Sequence, residues 1–510
     1  MNAKTSPLIS FLCDPTSYPP ASSIHFPSGD SVTHIETLAS HLFLVGPYAY
    51  KLKNPLYLDF IDSRDPLRRW HFCEEEMRLN QRLAPGLYRE VIGIMRRNDG
   101  SFELSPPSPE CVDFLLKMCR FESGATLESL LATDPPSSAQ LERLAELIAT
   151  LHLQEPPHPD FPATSVLRRQ IEANRPVLLK SLPDSIRIDS LIARQIAAFA
   201  SNESLFASRA PFFVKKIHGD LHSRNICRFD GELLPFDGIE FNPELNTIDT
   251  MNDIAFMVMD LMYQEAWSCL SIFLSHYLRI TGDYQGLALI PLLVSYRATV
   301  RAKILALSPS GWNADAEKYL LLAETALSWR KPTFIAVGGL SGAGKSTVAH
   351  QIGRAQGAVV IRSDYIRKEL TGVEDTEPAP SGAYSAEMTA RVYELMITRA
   401  AAVLAGGLPV VLDATFQSRE AQLLVAGLAE IRGAECHCIW CHCRTEIALE
   451  RIRNRTGDPS DATEEIRARQ EAIASFPTGK WQVLSTDGTR EEVAASISSK
   501  PFEWLRRNHF

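Results

Sequence analysis

The stretch that most limits what this chain can fold into is Gly339-Leu340-Ser341-Gly342-Ala343-Gly344-Lys345-Ser346-Thr347. An apolar run, Phe334-Ile335-Ala336-Val337, precedes it, and the helix-like Val348-Ala349-His350-Gln351-Ile352 follows. Strand, glycine-rich turn and helix in that order form the setting of a phosphate-binding P-loop. Glycine lets backbone N–H groups turn inward and crowd a polyphosphate where side chains would clash. The helix N-terminus adds partial positive charge, Lys345 is placed to reach the terminal phosphates, and the Ser346 hydroxyl can ligate magnesium. The stretch therefore implies a nucleoside triphosphate site, without indicating how the nucleotide is used.

At 510 residues the chain exceeds one average core, so more than one domain is expected. A formal net charge of −9 argues against a protein that coats nucleic acid or a membrane surface. No stretch approaches the roughly 20 apolar residues needed to span a bilayer, and Met1 to Pro7 lacks the apolar core of a signal peptide. Ten cysteines spread over this length do not form a disulfide framework, and the expected compartment is a reducing cytoplasm. A change of pattern falls at Ser328-Trp329-Arg330-Lys331-Pro332, between a helical stretch ending near Leu327 and the P-loop strand. The expected modules are residues 1–328 and 329–510.

The first module opens with a β-rich zone. His34 to Val45 reads as strand, tight turn and strand, and Pro47 to Lys53 as the next strand, with Lys51 and Lys53 on one face by the period of two. A helical segment from Trp70 to Leu83 follows, carrying Glu74, Glu75 and Glu76. A strand lysine held by a helix glutamate is the arrangement protein kinases use to grip nucleotide phosphates. Lys51 or Lys53, with Glu76 or Glu75, can form it. Further on, Ile217-His218-Gly219-Asp220-Leu221-His222-Ser223-Arg224-Asn225 has the H-x-D-x-x-x-x-N spacing of a kinase catalytic loop. There the aspartate faces the substrate hydroxyl and the asparagine holds magnesium. Ile226 to Phe229 and Glu232 to Phe236 flank Asp230-Gly231, a pair that supplies the positive φ of a two-residue hairpin turn. The hairpin returns Asp237-Gly238 beside the catalytic loop, where a second magnesium-binding carboxylate belongs.

These residues, with Phe236-Asp237-Gly238-Ile239-Glu240-Phe241, resemble the aminoglycoside phosphotransferase family. The resemblance covers roughly residues 8–328 and implies a two-lobed protein-kinase-like fold whose second lobe is mostly helical. It implies Asp220 as catalytic base, Asn225 and Asp237 as magnesium ligands, and Lys51 with Glu76 as the pair that orients ATP. The later Asn252-Asp253-Ile254-Ala255-Phe256 resembles that family's structural helix start, with Asp253 as a cap. Thr37 to Ser40 departs from protein kinases in lacking their glycine pattern.

In the second module the strand Ala358 to Arg362 ends in Ser363-Asp364-Tyr365-Ile366-Arg367, and Leu408 to Thr415 forms another buried strand ending in Asp413. Working residues of doubly wound sheets sit at the carboxyl ends of strands. Asp364 is placed to face an acceptor hydroxyl, or to cap the helix after it, and Arg367 to hold a polar or anionic substrate. Asp413 can support magnesium, or orient Lys345 or a water. Glu369 to Ser385 reads as a lid, and Arg444 to Arg455 as a helix with Arg451 and Arg455 on one face at i, i+4. Arginines entering the Gly457–Ala462 loop fit neutralisation of charge on a transferring phosphoryl group. Trp481 to Ser485 and Arg490 to Ile497 complete five strands alternating with helices, a parallel sheet flanked on its faces.

These stretches resemble small-molecule kinases of the P-loop class, among them gluconate kinase-like, chloramphenicol phosphotransferase-like, zeta-toxin-like and polynucleotide-kinase-like enzymes, over roughly residues 332–500. The whole chain resembles bacterial fusion proteins described as bifunctional aminoglycoside phosphotransferase/ATP-binding proteins. Cys436, Cys438 and His442 alternate with Cys441 and Cys443 along a segment read as a strand, so they leave it on opposite faces and cannot surround one zinc ion from a straight strand. The expectation is an ATP- and magnesium-dependent bifunctional kinase acting on hydroxyls of small molecules, with GTP as the competing nucleotide. Two alternatives stay open: one active kinase with the other module as a nucleotide-binding regulator, and a zeta-toxin-like nucleotide-sugar kinase. Oligomeric state has no signal in the sequence.

Overall fold

The computed structural model describes residues 6–19, 31–37, 39–58, 61–182, 185–308, 311–328, 332–380, 382–455, 459–475, 477 and 481–497. Residues 329–331 at the expected module boundary, and 456–458 in the expected arginine-entered loop, lie outside the described residues. Contacts group the chain into two compact units, residues 1–167 with 204–253, and 168–203 with 254–510. The second unit thus joins helices that precede residue 329 to the sheet that follows it.

The first unit holds a six-stranded antiparallel sheet in the order Thr33–Glu36, Ser40–Val45, Tyr48–Lys53, Asp113–Cys119, Tyr88–Arg96, Phe102–Ser105. Alternation along each strand gives the sheet two apolar faces. Phe43, Tyr50, Leu52, Ile94 and Leu115 pack on one face, and Tyr88, Phe114, Leu116 and Met118 pack with Cys73 of the helix Pro66–Asn80 on the other. That helix starts where Asp65 accepts the Leu67 N–H and Pro66 supplies a helical φ. Lys51 and Lys53 project to this covered face, so they are buried rather than solvated. The hairpin Ile226–Phe229/Glu232–Pro235 turns at Asp230 (φ 49°) and Gly231 (φ 82°), both left-handed as the two-residue turn requires.

The second unit contains a five-stranded parallel sheet in the order Val359–Arg362, Val410–Asp413, Thr333–Gly338, Glu435–His442, Trp481–Ser485. Its central strand, Thr333–Gly338, is buried at every position, as a sheet covered on both faces demands. Cys441 and Cys443 join the core beneath the P-loop helix Lys345–Gln356, while the Cys436 and Cys438 thiols lie 3.8 Å apart where the same strand begins. Among the described residues, no helix is long and apolar enough to cross a membrane.

The strand Val359–Arg362 is at the sheet edge, where unpaired backbone groups invite aggregation. The helix Trp267–Thr281 covers it. Ser271 Oγ donates to the Ala358 carbonyl at 2.6 Å, and the Val360 N–H donates to Ser275 Oγ at 2.9 Å, two serines one helical turn apart. Close approach of the P-loop helix to this edge needs a missing side chain at Gly353. A Cβ there would lie 2.5 Å from Val360 Cγ2 and 2.9 Å from Ser271 Oγ. Alanine in place of glycine ordinarily stabilises a helix interior by about 1 kcal/mol. At Gly353 the overpacking outweighs that gain, and Gly353→Ala is expected to lower stability in denaturant titration by about 1–3 kcal/mol. Gly427→Ala, where a Cβ meets nothing within 4 Å, is the control and should not destabilise.

Candidate active sites

In the first unit the catalytic-loop segment is built on backbone anchors. Asp253 accepts the N–H groups of His218 at 2.9 Å and Gly219 at 2.8 Å, and His152 Nε2 lies 3.3 Å from the same carboxylate. Asp253 is therefore no helix cap. It stands in the first turn of Met251–Tyr263 and holds the His218–Gly219 backbone instead. Gly219 (φ 82°) passes so near this packing that a Cβ would sit 2.8 Å from the Leu245 carbonyl. The His218 ring bridges the loop to the Asp-Gly segment, with Nε2 3.0 Å from the Phe236 carbonyl and Nδ1 3.3 Å from the Asp220 N–H. Burial pushes the His218 pKa down, so the neutral ring donates on one side and accepts on the other.

Asp220 is one-third exposed at its side chain and accepts from Asn225 Nδ2 at 2.8 Å. Asp237 has φ 60°, unusual for a residue with a side chain, and such strain concentrates at functional positions. Its N–H is held by the Tyr88 hydroxyl at 2.9 Å. Lys51 pairs with both Asp237 and Glu76, the latter at 2.8 Å. Lys53 pairs with Glu76 at 2.6 Å and also with Glu240. Glu75 turns outward, to Arg78 at 2.8 Å and Lys216 at 3.3 Å, so both strand lysines converge on Glu76. Burial opposes charge on Glu76, and the two ammonium groups overcome it, holding its carboxyl below the usual range. With Nδ2 committed to Asp220, the oxygen of Asn225 and the carboxylate of Asp237 are hard oxygen donors of the kind magnesium takes.

The P-loop turn depends on glycine at three positions. Gly339 (φ 138°), Gly342 (φ 79°) and Gly344 (φ 76°) all have backbones that side chains resist. A Cβ on Gly339 would stand 2.4 Å from the Cys441 carbonyl, and one on Gly342 would stand 2.6 Å from that of Ala448. Ala343 is buried beneath the turn, and its carbonyl accepts from Thr486 Oγ1 at 2.8 Å. Ser346 and Thr347 lie in the first turn of the following helix. Lys345 Nζ donates to the Leu340 carbonyl at 3.1 Å. Burial lowers its pKa, and the Asp413 and Asp364 carboxylates only partly oppose that. Ser346 Oγ and Asp413 Oδ2 both receive one guanidinium, that of Arg362, at 3.2 and 3.1 Å. Two hard oxygen donors converging on one cationic centre fit a magnesium ligand set.

The structure departs from the expected shared helical face of Arg451 and Arg455, and it narrows the alternatives left open for Asp364 and Asp413. The helix after the second strand begins at Ser363, so Asp364 stands inside its first turn with Arg362 as N-cap, and does not cap it. Arg455 is beyond the helix Thr445–Arg453, which stops at Asn454, so Arg451 and Arg455 do not share a helical face. Arg451 instead donates to the Thr486 carbonyl at 2.6 Å, with NH1 against Gly344, and Arg455 donates to the Ser460 carbonyl at 3.4 Å. Asp413 pairs directly with Arg362, and its charge also reaches Lys345. Arg367 is buried against the segment before Ser385, donating to the Ala383 carbonyl with its guanidinium 4.5 Å from the Tyr384 ring centre.

Several contributors carry no sequence motif. Gln470 Oε1 accepts the Ser341 N–H at 2.8 Å and Arg467 donates to the Ser341 carbonyl at 2.6 Å, laying the helix Glu464–Ile473 over the P-loop. Lys368 is buried and binds both oxygens of Asp461, at 2.7 and 2.8 Å, joining the Asp364 helix to the loop that follows Arg455. The only local signal for Lys368 is its place beside Arg367.

A family model described as an AAA domain matches residues 334–477. An uncharacterized protein of Mycobacterium tuberculosis is 31% identical over 474 residues, covering 89% of this chain and 92% of that protein. A Mycobacterium bovis protein matches with the same figures. Among solved structures, a choline/ethanolamine kinase family protein from Mesorhizobium loti covers 63% of this chain and 95% of its own at 11% identity and TM-score 0.40. A gluconokinase from Sinorhizobium meliloti covers 35% and 94% at 22% identity and TM-score 0.25.

Two measurements check this geometry. Gly342→Ala combines a left-handed backbone with a clash against a carbonyl, and should weaken binding of a fluorescent ATP analogue by roughly tenfold or more. Glu76→Gln leaves two buried lysines short of a carboxylate and should cost about 3–5 kcal/mol in denaturant titration. Because the folded pKa of Glu76 is depressed, its contribution is full above the unfolded carboxylate range and disappears as pH falls through the lower folded value. Stability measured from pH 6 downward should therefore fall more steeply in the wild type than in Glu76→Gln.

Proposed function

We propose a function from the premise that this chain belongs to the family of the two mycobacterial proteins that match it over most of both lengths. The chain carries two kinase-like modules, the second a P-loop domain. The reading is a bifunctional kinase, with residues 1–328 and 329–510 each transferring the γ-phosphoryl group of ATP, with GTP as the competing nucleotide, to a hydroxyl of a small molecule such as a sugar or amino sugar. The observation that carries it is duplication. Each module brings together an aspartate, a lysine and a second carboxylate, a set that fits a base and a metal-holding pair.

In the first site Asp220 would accept the hydroxyl proton, and Lys51, fixed by Glu76, would orient the phosphates. Asn225 and Asp237 would hold magnesium. In the second, the amides of Gly339 to Thr347 would cradle the phosphates and Lys345 would contact the terminal groups. Ser346 and Asp413 would hold the metal and Asp364 would act as base. Arg367 would hold the acceptor, and Arg451 and Arg455 would offset charge developing on the phosphoryl group. Bound magnesium would supply charge neutralisation on the phosphates at both sites. The net charge of −9 favours small acceptors over nucleic acid, and the proposed compartment is the cytoplasm.

A regulatory reading of the P-loop module draws on one contact. Gln470 takes up the Ser341 N–H, so nucleotide that claims this amide displaces the overlying helix.

The test is incubation with ATP, magnesium and a fractionated metabolite extract, following new phosphate esters by mass spectrometry. Asp220→Ala and Lys345→Ala should each lose a different product, by about 10²–10⁴-fold for the base. One variant that abolishes every product would sink the two-site reading. ATP hydrolysis at the P-loop without a phosphorylated acceptor would favour the regulatory one.

A further inference from the structure

Arg362 is the last residue of the edge strand and only 6% exposed. Its Nε donates to Asp413 Oδ2 at 3.1 Å and its NH2 to Ser346 Oγ at 3.2 Å, and Asp364 Oδ2 lies 4.0 Å away. One guanidinium thus engages the hydroxyl and carboxylate proposed as metal ligands and approaches the carboxylate proposed as base. A buried arginine with this fork is a built feature, because two donors in fixed geometry match two acceptors on separate elements. The same guanidinium lies 5.1 Å from the Tyr365 ring centre, and Arg279 faces that ring at 4.9 Å. The other charged or titratable groups nearby are Lys345 and His350, whose imidazole burial and Arg362 both push toward the neutral form.

We propose that Arg362 is a resident cation of the P-loop site, exchanged for the divalent metal when nucleotide binds. It is a positioning residue that holds Ser346 and Asp413 in place for a metal and excludes that metal until phosphates arrive. A guanidinium and a divalent cation cannot share the same two oxygen donors, since like charges repel strongly where water is excluded. With Asp413 neutralised, free metal finds little net attraction. The negative charge of a bound triphosphate reverses this, and the released guanidinium retains Asp364 and the Tyr365 face as partners. Metal and nucleotide therefore bind with positive coupling, and that coupling is stored in one side chain.

This inference rests on the reading of the P-loop as a metal–nucleotide site, and the experiment separates the two. Mn2+ binding to the full chain, without nucleotide, is measured by electron paramagnetic resonance in an Asp237→Ala background that disables the first site's metal ligand. Arg362→Met is expected to bind Mn2+ at least tenfold more tightly than its parent, and Asp413→Asn added to it should abolish the gain. Arg362→Lys, which keeps the charge but loses the fork, should gain by part of that factor. The ratio of fluorescent ATP analogue affinities with and without Mg2+ should shrink in Arg362→Met. Unchanged Mn2+ affinity in folded Arg362→Met, or in Arg362→Lys should the methionine variant fail to fold, overturns the proposal. Weaker binding of metal-free nucleotide in Arg362→Met, with unchanged Mn2+ affinity, also overturns it and makes Arg362 a phosphate ligand. Nucleotide binding unaffected by Lys345→Ala would overturn the underlying reading of the site, a result independent of the Mn2+ series.

Discussion

The structure depends throughout on one electrostatic constraint, that a buried carboxylate needs a cation or hydrogen-bond donors against it. Taking an ion out of water costs several kcal/mol unless charge and hydrogen bonds replace the solvent. Glu76 meets the condition with two lysines and Asp413 with Arg362, while the half-buried Asp461 partners the buried Lys368. These pairs do more than cancel charge. Each joins elements distant in sequence, a helix to a strand at Glu76, two strand ends at Asp413 and a loop to a helix at Asp461, so the acids are positioned by the groups beside them. Glu240 marks the limit, because burial raises its pKa even with Lys53 beside it.

The fold was largely legible because its determinants are local. The period of two put Lys51 and Lys53 on one face, Asp230-Gly231 announced a hairpin, and apolar runs ending in Asp413 or Arg362 announced parallel strands. Site residues were legible only where motif spacing carries them. Three consecutive glutamates left the partner of Lys51 open, because which one faces the sheet depends on how the helix docks. Arginines at 451 and 455 read as one helical face, yet the helix ends before the second. A terminal strand arginine has no local mark separating a solvated end from a buried fork, and Arg362 was visible only once Asp413 and Ser346 stood beside it.

The division of the chain shows the same difference between local and distant signals. Composition changes near residue 329, but contacts join residues 254–328 to the P-loop sheet. A sheet edge needs its backbone groups satisfied, and Ser271 and Ser275 supply that from a helix upstream of the change. Arg279 of the same helix pairs with Asp375 and stacks on Tyr365, next to Asp364. The P-loop site is therefore finished by residues that composition would assign to the other module. A change of composition in sequence and a boundary in packing are set by different physics.

Three polar groups of the P-loop site already have partners within the protein. The Ser341 amide is taken by Gln470, the Ser346 hydroxyl by Arg362, and the Lys345 ammonium by the Leu340 carbonyl. Orphaned polar groups in such a buried place would each cost about 1–3 kcal/mol, so the substitutions stabilise the nucleotide-free protein. They also change what binding means. A ligand gains only the difference between its own contacts and those it displaces, which favours a polyphosphate that replaces several at once over an anion that replaces one. On the proposed reading, selectivity for a metal-bound nucleotide would follow from the internal partners as much as from the loop that cradles the phosphates.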